Sequence, residues 1–561
     1  MPKNNETKFA SFFNLPNPGL RSYFDIVRKG QPEIYRTTFA RGQNIEEVLN
    51  DWEPQLNTLI EQWPSLVDFE NDLKAKVGPV SVMKPLSERI KDIDHYYEDI
   101  LLSSTPVSDK AIKAVLAEFM PVKGLRVRGQ QRTCDLMKKS TNSGSPYFTK
   151  RRNVVNKTLF CDVDPGHNSG LGIPFQILNS SVDSWISGGR HPASTNTSKL
   201  WNACAVLGWR GQEGGPNADD VKQRVVWMFP FAVNICELQV YQPMIESCQK
   251  FNLVPAWVSM ESVDQRITQM FDTKGADDLV ICTDFSKFDQ HFNEDMQKAA
   301  ACIIEGLMSD DKSSRSWLKQ VFPIKYCIPL AYDYDKIRFG KHGMGSGSGG
   351  TNADETLAHR ALQYEAALAN NAKLNPNSQC LGDDGVLTYP GITVEDVVRS
   401  YSAHGQEMNE SKQYASKHEC IYLRRWHHMN YRQDGICVGV YSTYRALGRL
   451  MEQERYYDPA VWSSKMVALR QLSIIENVKY HPLRDQFAEF CMKRDKYRLG
   501  IDIPGFLDDI DNIAGEAIDL MPDFLGYTES MTKVPYVLSN WWIVNYLRSH
   551  KLNRDGAINH W

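Results

Sequence analysis

The stretch Leu279-Val280-Ile281-Cys282-Thr283-Asp284 is a short apolar run that closes on an acid. A run with no polar alternation reads as a strand buried on both faces. An ionised carboxylate ending such a strand is costly unless it is paired or holds a metal. Further along, Cys380-Leu381 and Val386-Leu387-Thr388-Tyr389 flank Gly382-Asp383-Asp384-Gly385. The glycines break the runs, so this segment is expected to be a β-hairpin with two carboxylates at its tip. Asp and Gly are also the commonest turn formers, and the acid pair alone signifies only a turn. Asp284 changes that reading. If its strand lies beside the hairpin, Asp284 and Asp383 converge at one edge of an antiparallel sheet and can share two divalent ions. Such an arrangement serves phosphoryl or nucleotidyl transfer.

Asp289 lies five residues after Asp284, beyond the strand end, where it could face the same pocket and accept a hydrogen bond from a sugar hydroxyl. The blander reading is an acid near a helix N-terminus, stabilised by the dipole. Gly343 to Gly350, with Ser346 and Ser348 interspersed, leads into a predicted helix over Thr351 to Asn370. A glycine-rich backbone opening a helix can approach a phosphate or a nucleic-acid backbone. The run lacks the Lys that an ATPase P-loop carries after its final Gly. Helical spacing also predicts helices at Ser87–Leu102, Ser108–Phe119, Glu294–Met308, Pro459–Ile474 and Leu483–Tyr497, with a helix-like segment over 392–404.

The 561 residues, 42% hydrophobic and 24% charged, exclude a small module, a disordered chain and a fibrous repeat. No stretch is long and apolar enough to suggest a membrane span, the N-terminus has no signal-peptide pattern, and the 12 cysteines contain no C-x-x-C pair. The cysteines read as reduced core residues. A net charge of −4 means that any nucleic-acid site must be local. Between Val122 and Lys157 ten basic residues face Asp135 alone, with Ser143-Gly144-Ser145-Pro146-Tyr147-Phe148 interleaved. Small residues and aromatics among cations suit a nucleic-acid groove, against the alternative of a solvated charged face. Acids gather at the other end, from Asp502 to Glu529, in a stretch without Lys or Arg.

The order Asp284-x4-Asp289, Ser346-Gly347-x3-Thr351, Gly382-Asp383-Asp384 resembles motifs A, B and C of the viral RNA-dependent RNA polymerases. The fuller strings Asp284-Phe285-Ser286-Lys287-Phe288-Asp289 and Ser346-Gly347-Ser348-Gly349-Gly350-Thr351-Asn352-Ala353-Asp354, with Leu15 to Phe24, look most like the picobirnavirus members, over essentially the whole chain. The resemblance implies an α+β right hand of fingers, palm and thumb, with an antiparallel palm sheet flanked by helices and a mainly helical thumb. It implies an N-terminal arm over 1–60, fingers over 61–275 with 309–342, palm over 276–308 and 343–430, and thumb and tail over 431–561.

Asp284, Asp383 and Asp384 then become the ligands of two Mg²⁺ ions, with Mn²⁺ as a substitute. One ion would activate the 3′-hydroxyl while the other binds the triphosphate and stabilises the leaving oxygen. Lys222 and Arg224 resemble the motif F cations that contact the triphosphate. Asp289, Ser346, Gly347 and Thr351 join them around the NTP. Ser143, Gly144, Ser145 and Pro146, with Lys150, Arg151 and Arg152, resemble the template path of motif G, although Asn142 stands where Ser or Thr is expected. Lys412 resembles the motif D general acid, with Lys417 as the competing choice. Leu423, Arg424 and Arg425 resemble motif E beneath the priming strand. Glu355 departs from the family's Asn four residues after the motif B Thr, and Asn352 lies three residues too early to replace it.

The activity implied is replication and transcription of a double-stranded RNA genome. RNA template, RNA product and NTPs are the expected partners, and viral capsid protein a further one. No membrane association is expected, and the sites implied are the virion core and host cytoplasm. Two rivals remain on the sequence. A reverse transcriptase shares the carboxylates but usually carries an aromatic steric gate where Asp289 stands. A non-catalytic RNA-binding structural protein would need only the basic segment and would leave the carboxylates without a purpose.

Overall fold

The computed structural model describes residues 18–145, 147–160, 204–334, 336–520 and 537–558, together with residues 172, 174 and 185. Its strands, in chain order, are β1 (Tyr35–Arg36), β2 (Ala205–Gln212), β3 (Lys222–Met228), β4 (Val280–Thr283), β5 (Leu330–Asp333), β6 (Lys336–Arg338), β7 (Gln379–Leu381), β8 (Asp384–Leu387), β9 (Tyr414–Ser416), β10 (Glu419–Tyr422), β11 (Arg425–His428), β12 (Val440–Tyr441) and β13 (Glu452–Gln453). The fold is mixed α/β, and long helices separate its sheets.

The sheet that matters most has the order β7-β8-β4-β9, antiparallel throughout. Every residue of β4 is buried, as its apolar run predicts. A second sheet, β3-β2-β5-β6, is antiparallel except for the parallel β2–β5 pair. A third, β10-β11-β12, packs against the first. The helix Thr351–Ala369 is buried along most of its length and packs on β7 and on the helices Asp109–Glu118 and Glu294–Leu307.

The predicted helices form with small shifts at their ends. Ser108, Asn293 and Thr393 cap their helices through side-chain oxygens that accept backbone N–H groups. The helix expected from Pro459 begins later, at Ser464, because the Ser463 side chain supplies the cap.

Where it is described, the segment expected to be the N-terminal arm contains helices. Pro18–Lys29 and Ile45–Asn57 are helices, the second held by a capping box between Asn44 and Glu47. Prolines at a helix start are compatible with helix, and Pro18 is such a residue. The segment does connect distant parts: Pro18–Lys29 packs on β2 and β5, while β1 pairs with β13. The boundary expected at residue 60 is not a packing boundary. Pro64–Lys74 shares one core with Ile45–Asn57 and the C-terminal helices Thr443–Met451, Ser464–Glu476 and Arg484–Arg494. Glu70 anchors that core. Its buried carboxyl accepts the Thr443 N–H at 2.8 Å and the Thr443 hydroxyl, and burial pushes it up to about 7.

Among the described residues, no helix is long and apolar enough to cross a membrane.

Candidate active site

Register decides the site. Thr283 of β4 pairs with Gly385 of β8, so Asp284 leaves β4 beside the turn that carries Asp383. The hairpin turn is Gly382-Asp383 alone. Asp384 already pairs with Leu381 as the first residue of β8, so one carboxylate sits at the tip and the other one step down the strand. Gly382 takes a φ of +58°, a backbone conformation that favours glycine. The helix Thr351–Ala369 holds this turn from below. Thr356 Oγ1 accepts the Gly382 N–H at 2.9 Å, and the His359 ring donates from Nδ1 to the Gly382 carbonyl at 2.9 Å. Burial lowers His359 to about 4, so it serves as a neutral donor.

The reading of Asp284 as a buried strand-end acid is overturned. Burial ends at Thr283, and Asp284 is exposed. The cost of burial falls instead on Asp384, which is half-buried, while Asp383 at the tip is exposed. Burial and the neighbouring Asp383 push Asp384 up to about 7, while its Oδ2 accepts the Leu423 N–H at 2.9 Å. Asp383 is raised by its crowded surroundings, then by Asp289 and Asp284, with Arg224 opposing. Leu423 and Arg424 form the β10–β11 turn with φ of +52° and +59°, a strained conformation for non-glycine residues.

Cations face the acids. Lys222 and Arg224 are exposed on β3. Burial lowers the Lys222 ammonium, and Lys76, Arg224 and Arg424 lower it further, while Asp284 opposes them. Arg424 is lowered to about 10 by burial and by Arg445. Glu213 moderates this cluster, accepting Arg445 Nε at 2.8 Å and lying 3.7 Å from Arg424 Nη1.

Asp289 meets a carboxyl rather than an amide. Glu355 is buried beside Asp289, and burial followed by the Asp289 charge pushes its carboxyl well above the ordinary carboxylate range. Asn352 Oδ1 accepts Trp257 Nε1 at 2.8 Å, while its Nδ2 lies beside the hairpin turn, 3.7 Å from where a Cβ on Gly382 would stand.

The glycine run is fixed, not loose. A Cβ at Gly347 would lie 1.5 Å from the Trp227 carbonyl oxygen, and one at Gly350 would meet the Tyr241 ring at 2.3 Å. The glycines thus serve close packing within the protein. Glu237 accepts the Gly349 N–H at 3.1 Å and the Ser348 hydroxyl, and Asn234 donates to the Gly347 carbonyl at 3.3 Å. Ser346 donates to the Val225 carbonyl at 3.3 Å, one residue from Arg224, and Thr351 donates to the Gly345 and Ser348 carbonyls.

The basic segment divides. Arg151 turns inward, donating to Asn234 Oδ1 at 2.8 Å and lying over Phe231, and burial lowers it to about 10. Ser143 and Ser145 are buried, and Gly144 takes φ of +60° against the Phe229 carbonyl. Lys150 and Arg152 reach the surface. Pro146 lies outside the described residues. Lys412 is exposed in the turn Glu410–Lys412, whereas Lys417 lies 3.5 Å from Asp277. Arg425 of β11 lies beside the Tyr441 ring.

Lys76, Glu213, Glu237, Gln413 and Arg445 carry no sequence signal that links them to this site. Each acts across the fold.

Among the described residues, no three His, Cys, Asp or Glu side chains are drawn together tightly enough to hold an ion unaided. The donor set nevertheless fits Mg²⁺, which takes one or two carboxylates and completes its octahedron from water and phosphate oxygens. Desolvation, followed by neighbouring acids, raises both groups: Asp289 and Asp284 act on Asp383, and Asp383 acts on Asp384.

Residues 208–447 match the family model of viral RNA-dependent RNA polymerases. The chain is 58% identical, over 97% of its length and 99% of the relative's, to a potential RNA-dependent RNA polymerase of Human picobirnavirus (strain Human/Thailand/Hy005102/-). Its structure superposes on the crystal structure of a human picobirnavirus RNA-dependent RNA polymerase with TM-score 0.87 and 57% identity, covering 97% of this chain and 98% of the other. The insertion-loop deletion mutant of a human picobirnavirus polymerase gives TM-score 0.85 and 56% identity over the same shares.

Proposed function

This chain belongs to the viral RNA-dependent RNA polymerases, and from that premise we propose that Asp284, Asp383 and Asp384 form the centre at which it joins NTPs on an RNA template. The observation that carries the reading is the register Thr283↔Gly385, which brings acids from two chain segments to one sheet edge opposite Lys222 and Arg224. Asp284, Asp383 and Asp384 would hold two Mg²⁺ ions. Bound there, the ions would supply charge neutralisation for the nucleophilic 3′-oxygen and the leaving pyrophosphate.

The protein's own groups do the rest. Lys222 and Arg224 bind the triphosphate, with Arg424 adding to the positive field. Asp289, paired with Glu355, orients the ribose beside Ser346 and the fixed loop that leads to Thr351. Lys412 is placed in an exposed turn from which it can donate a proton to the leaving group. Lys150 and Arg152 guide the template, while Arg151 and Ser143 to Ser145 shape its wall. The Leu423-Arg424 turn, with Arg425, supports the priming strand and fixes Asp384 through one hydrogen bond.

In this reading the β7-β8-β4-β9 sheet is the palm, the β3-β2-β5-β6 sheet with the basic segment belongs to the fingers, and the C-terminal helices form the thumb. Residues 64–74 pack with the thumb. The polymerase would replicate and transcribe a double-stranded RNA genome in the virion core and host cytoplasm, in company with capsid protein.

The experiment is incorporation on a defined single-stranded RNA with Mg²⁺ or Mn²⁺, comparing ribo- and deoxyribonucleotides. Ribonucleotide product is expected to exceed deoxyribonucleotide product by about a hundredfold or more, because a site that hydrogen-bonds a hydroxyl rejects the analogue lacking it. Preferred deoxyribonucleotide use would contradict the assignment of Asp289.

A further inference from the structure

The backbone pairing of β9 with β4 runs from Val280↔Ser416 to Cys282↔Tyr414 and then stops, short of Asp284. Beyond that point a side chain continues the ladder. The Gln413 amide accepts the Asp284 N–H at 2.8 Å through Oε1 and donates to the Asp284 carbonyl at 2.9 Å through Nε2. A primary amide carries the donor and acceptor of a peptide unit, so it takes the place of the missing strand residue. The same Nε2 donates to the Asn409 carbonyl at 3.0 Å, which ties the turn that carries Lys412 to Asp284. The Ser286 N–H donates to the Glu407 carbonyl at 3.0 Å and adds a second stitch.

Packing does only part of this work: Phe285 is half-buried against the Phe288, His359 and Tyr401 rings. Asp284, Ser286 and Lys287 are exposed, and an open cavity of about 600 Å³ is lined by Ser286, Lys287, Glu407 and Met408. On that exposed side, hydrogen bonds hold the segment.

We propose that Gln413 is a positioning residue, which fixes the Asp284 carboxylate against Asp383 and couples the Lys412 turn to it. The proposal rests on the reading of Asp284 as a metal ligand. Groups that orient a ligand from behind typically change metal affinity or activity about 10- to 100-fold when removed.

The test uses the full chain in two measurements: Mn²⁺ affinity by electron paramagnetic resonance without nucleotide, and steady-state incorporation of NTP. Gln413→Met keeps the shape and deletes all three bonds. It is expected to weaken Mn²⁺ binding and lower kcat by about tenfold or more, with KM for NTP nearly unchanged. Gln413→Glu keeps only the acceptor and is expected to lose function too. Ser411→Ala removes a hydroxyl bonded to Asn409 in the same turn, and it should match wild type in both measurements. Wild-type Mn²⁺ affinity and kcat in Gln413→Met would overturn the proposal. So would an equal loss in Ser411→Ala, which would assign the effect to folding of the turn. Unchanged Mn²⁺ affinity in Asp284→Asn would instead remove the metal reading on which the proposal rests.

Discussion

Asp383→Asn is expected to abolish nucleotide incorporation, roughly a thousandfold, the rate equivalent of about 4 kcal/mol of lost charge stabilisation, while leaving the fold intact. The carboxylate stands at the tip of a two-residue turn whose backbone is held by Thr356 and His359, and neither bond involves the Asp383 side chain. The ionised side chain is disfavoured where it sits: its surroundings, Asp289 and Asp284 all raise its pKa. A raised carboxyl contributes stability that is fully present below its unfolded-state pKa and is lost as pH rises through its folded one. The metal-free variant should therefore match the wild type near pH 4 and become the more stable of the two as pH rises from there toward neutrality. Thermal unfolding at about pH 4 and about pH 7, beside an incorporation assay, checks both halves. Wild-type synthesis, or a variant that unfolds more readily at neutral pH, would contradict this account of the turn.

Lys325→Met is expected to destabilise the protein by about 3–5 kcal/mol. Lys325 and Asp354 are both fully buried, 2.9 Å apart. Tyr241 and Tyr326 donate to the two oxygens of Asp354 at 2.5 and 2.7 Å, and the Lys325 ammonium also donates to the Phe322 carbonyl at 2.7 Å. Removing the lysine leaves a buried carboxylate that two phenols cannot neutralise. The helix that begins at Thr351 carries Asp354, Glu355, Thr356 and His359, so its displacement would reach the catalytic turn. The double variant Lys325→Met/Asp354→Asn should recover part of the loss, because no isolated charge remains. Denaturant unfolding of the three proteins decides the matter. A single variant within about 1 kcal/mol of wild type would contradict a structural role for the pair.

The strand at 279–283, the hairpin and most helices are legible in the sequence because their signals are local. Apolar runs, glycine breakers and capping serines act within a few residues. The convergence of Asp284 and Asp383 could be stated only as a condition, since register is a property of two strands. Other features were hidden for the same reason. Gln413 is an ordinary polar residue until β9 stops pairing beside it, and Glu237 is an ordinary helix acid until the glycine loop folds over it. Glu355 shows up in the sequence only as a departure from Asn, whereas its raised carboxyl depends first on burial. The basic segment misled in part. Charge density cannot distinguish Lys150 and Arg152 at the surface from Arg151, whose guanidinium is committed to Asn234 and Phe231. Glycines likewise suggested an open, phosphate-seeking loop, while the space around Gly347 and Gly350 shows that their small size admits Trp227 and Tyr241.

The most direct measurement of the central claim is single-turnover incorporation on RNA templates that differ only at the first copied base, with each NTP offered alone. The account predicts that each template base admits its complementary ribonucleotide over the other three, in a reaction that requires Mg²⁺ or Mn²⁺ and is absent in Asp383→Asn. Incorporation that ignores the template base, or that persists in the variant, would contradict templated synthesis at this carboxylate centre.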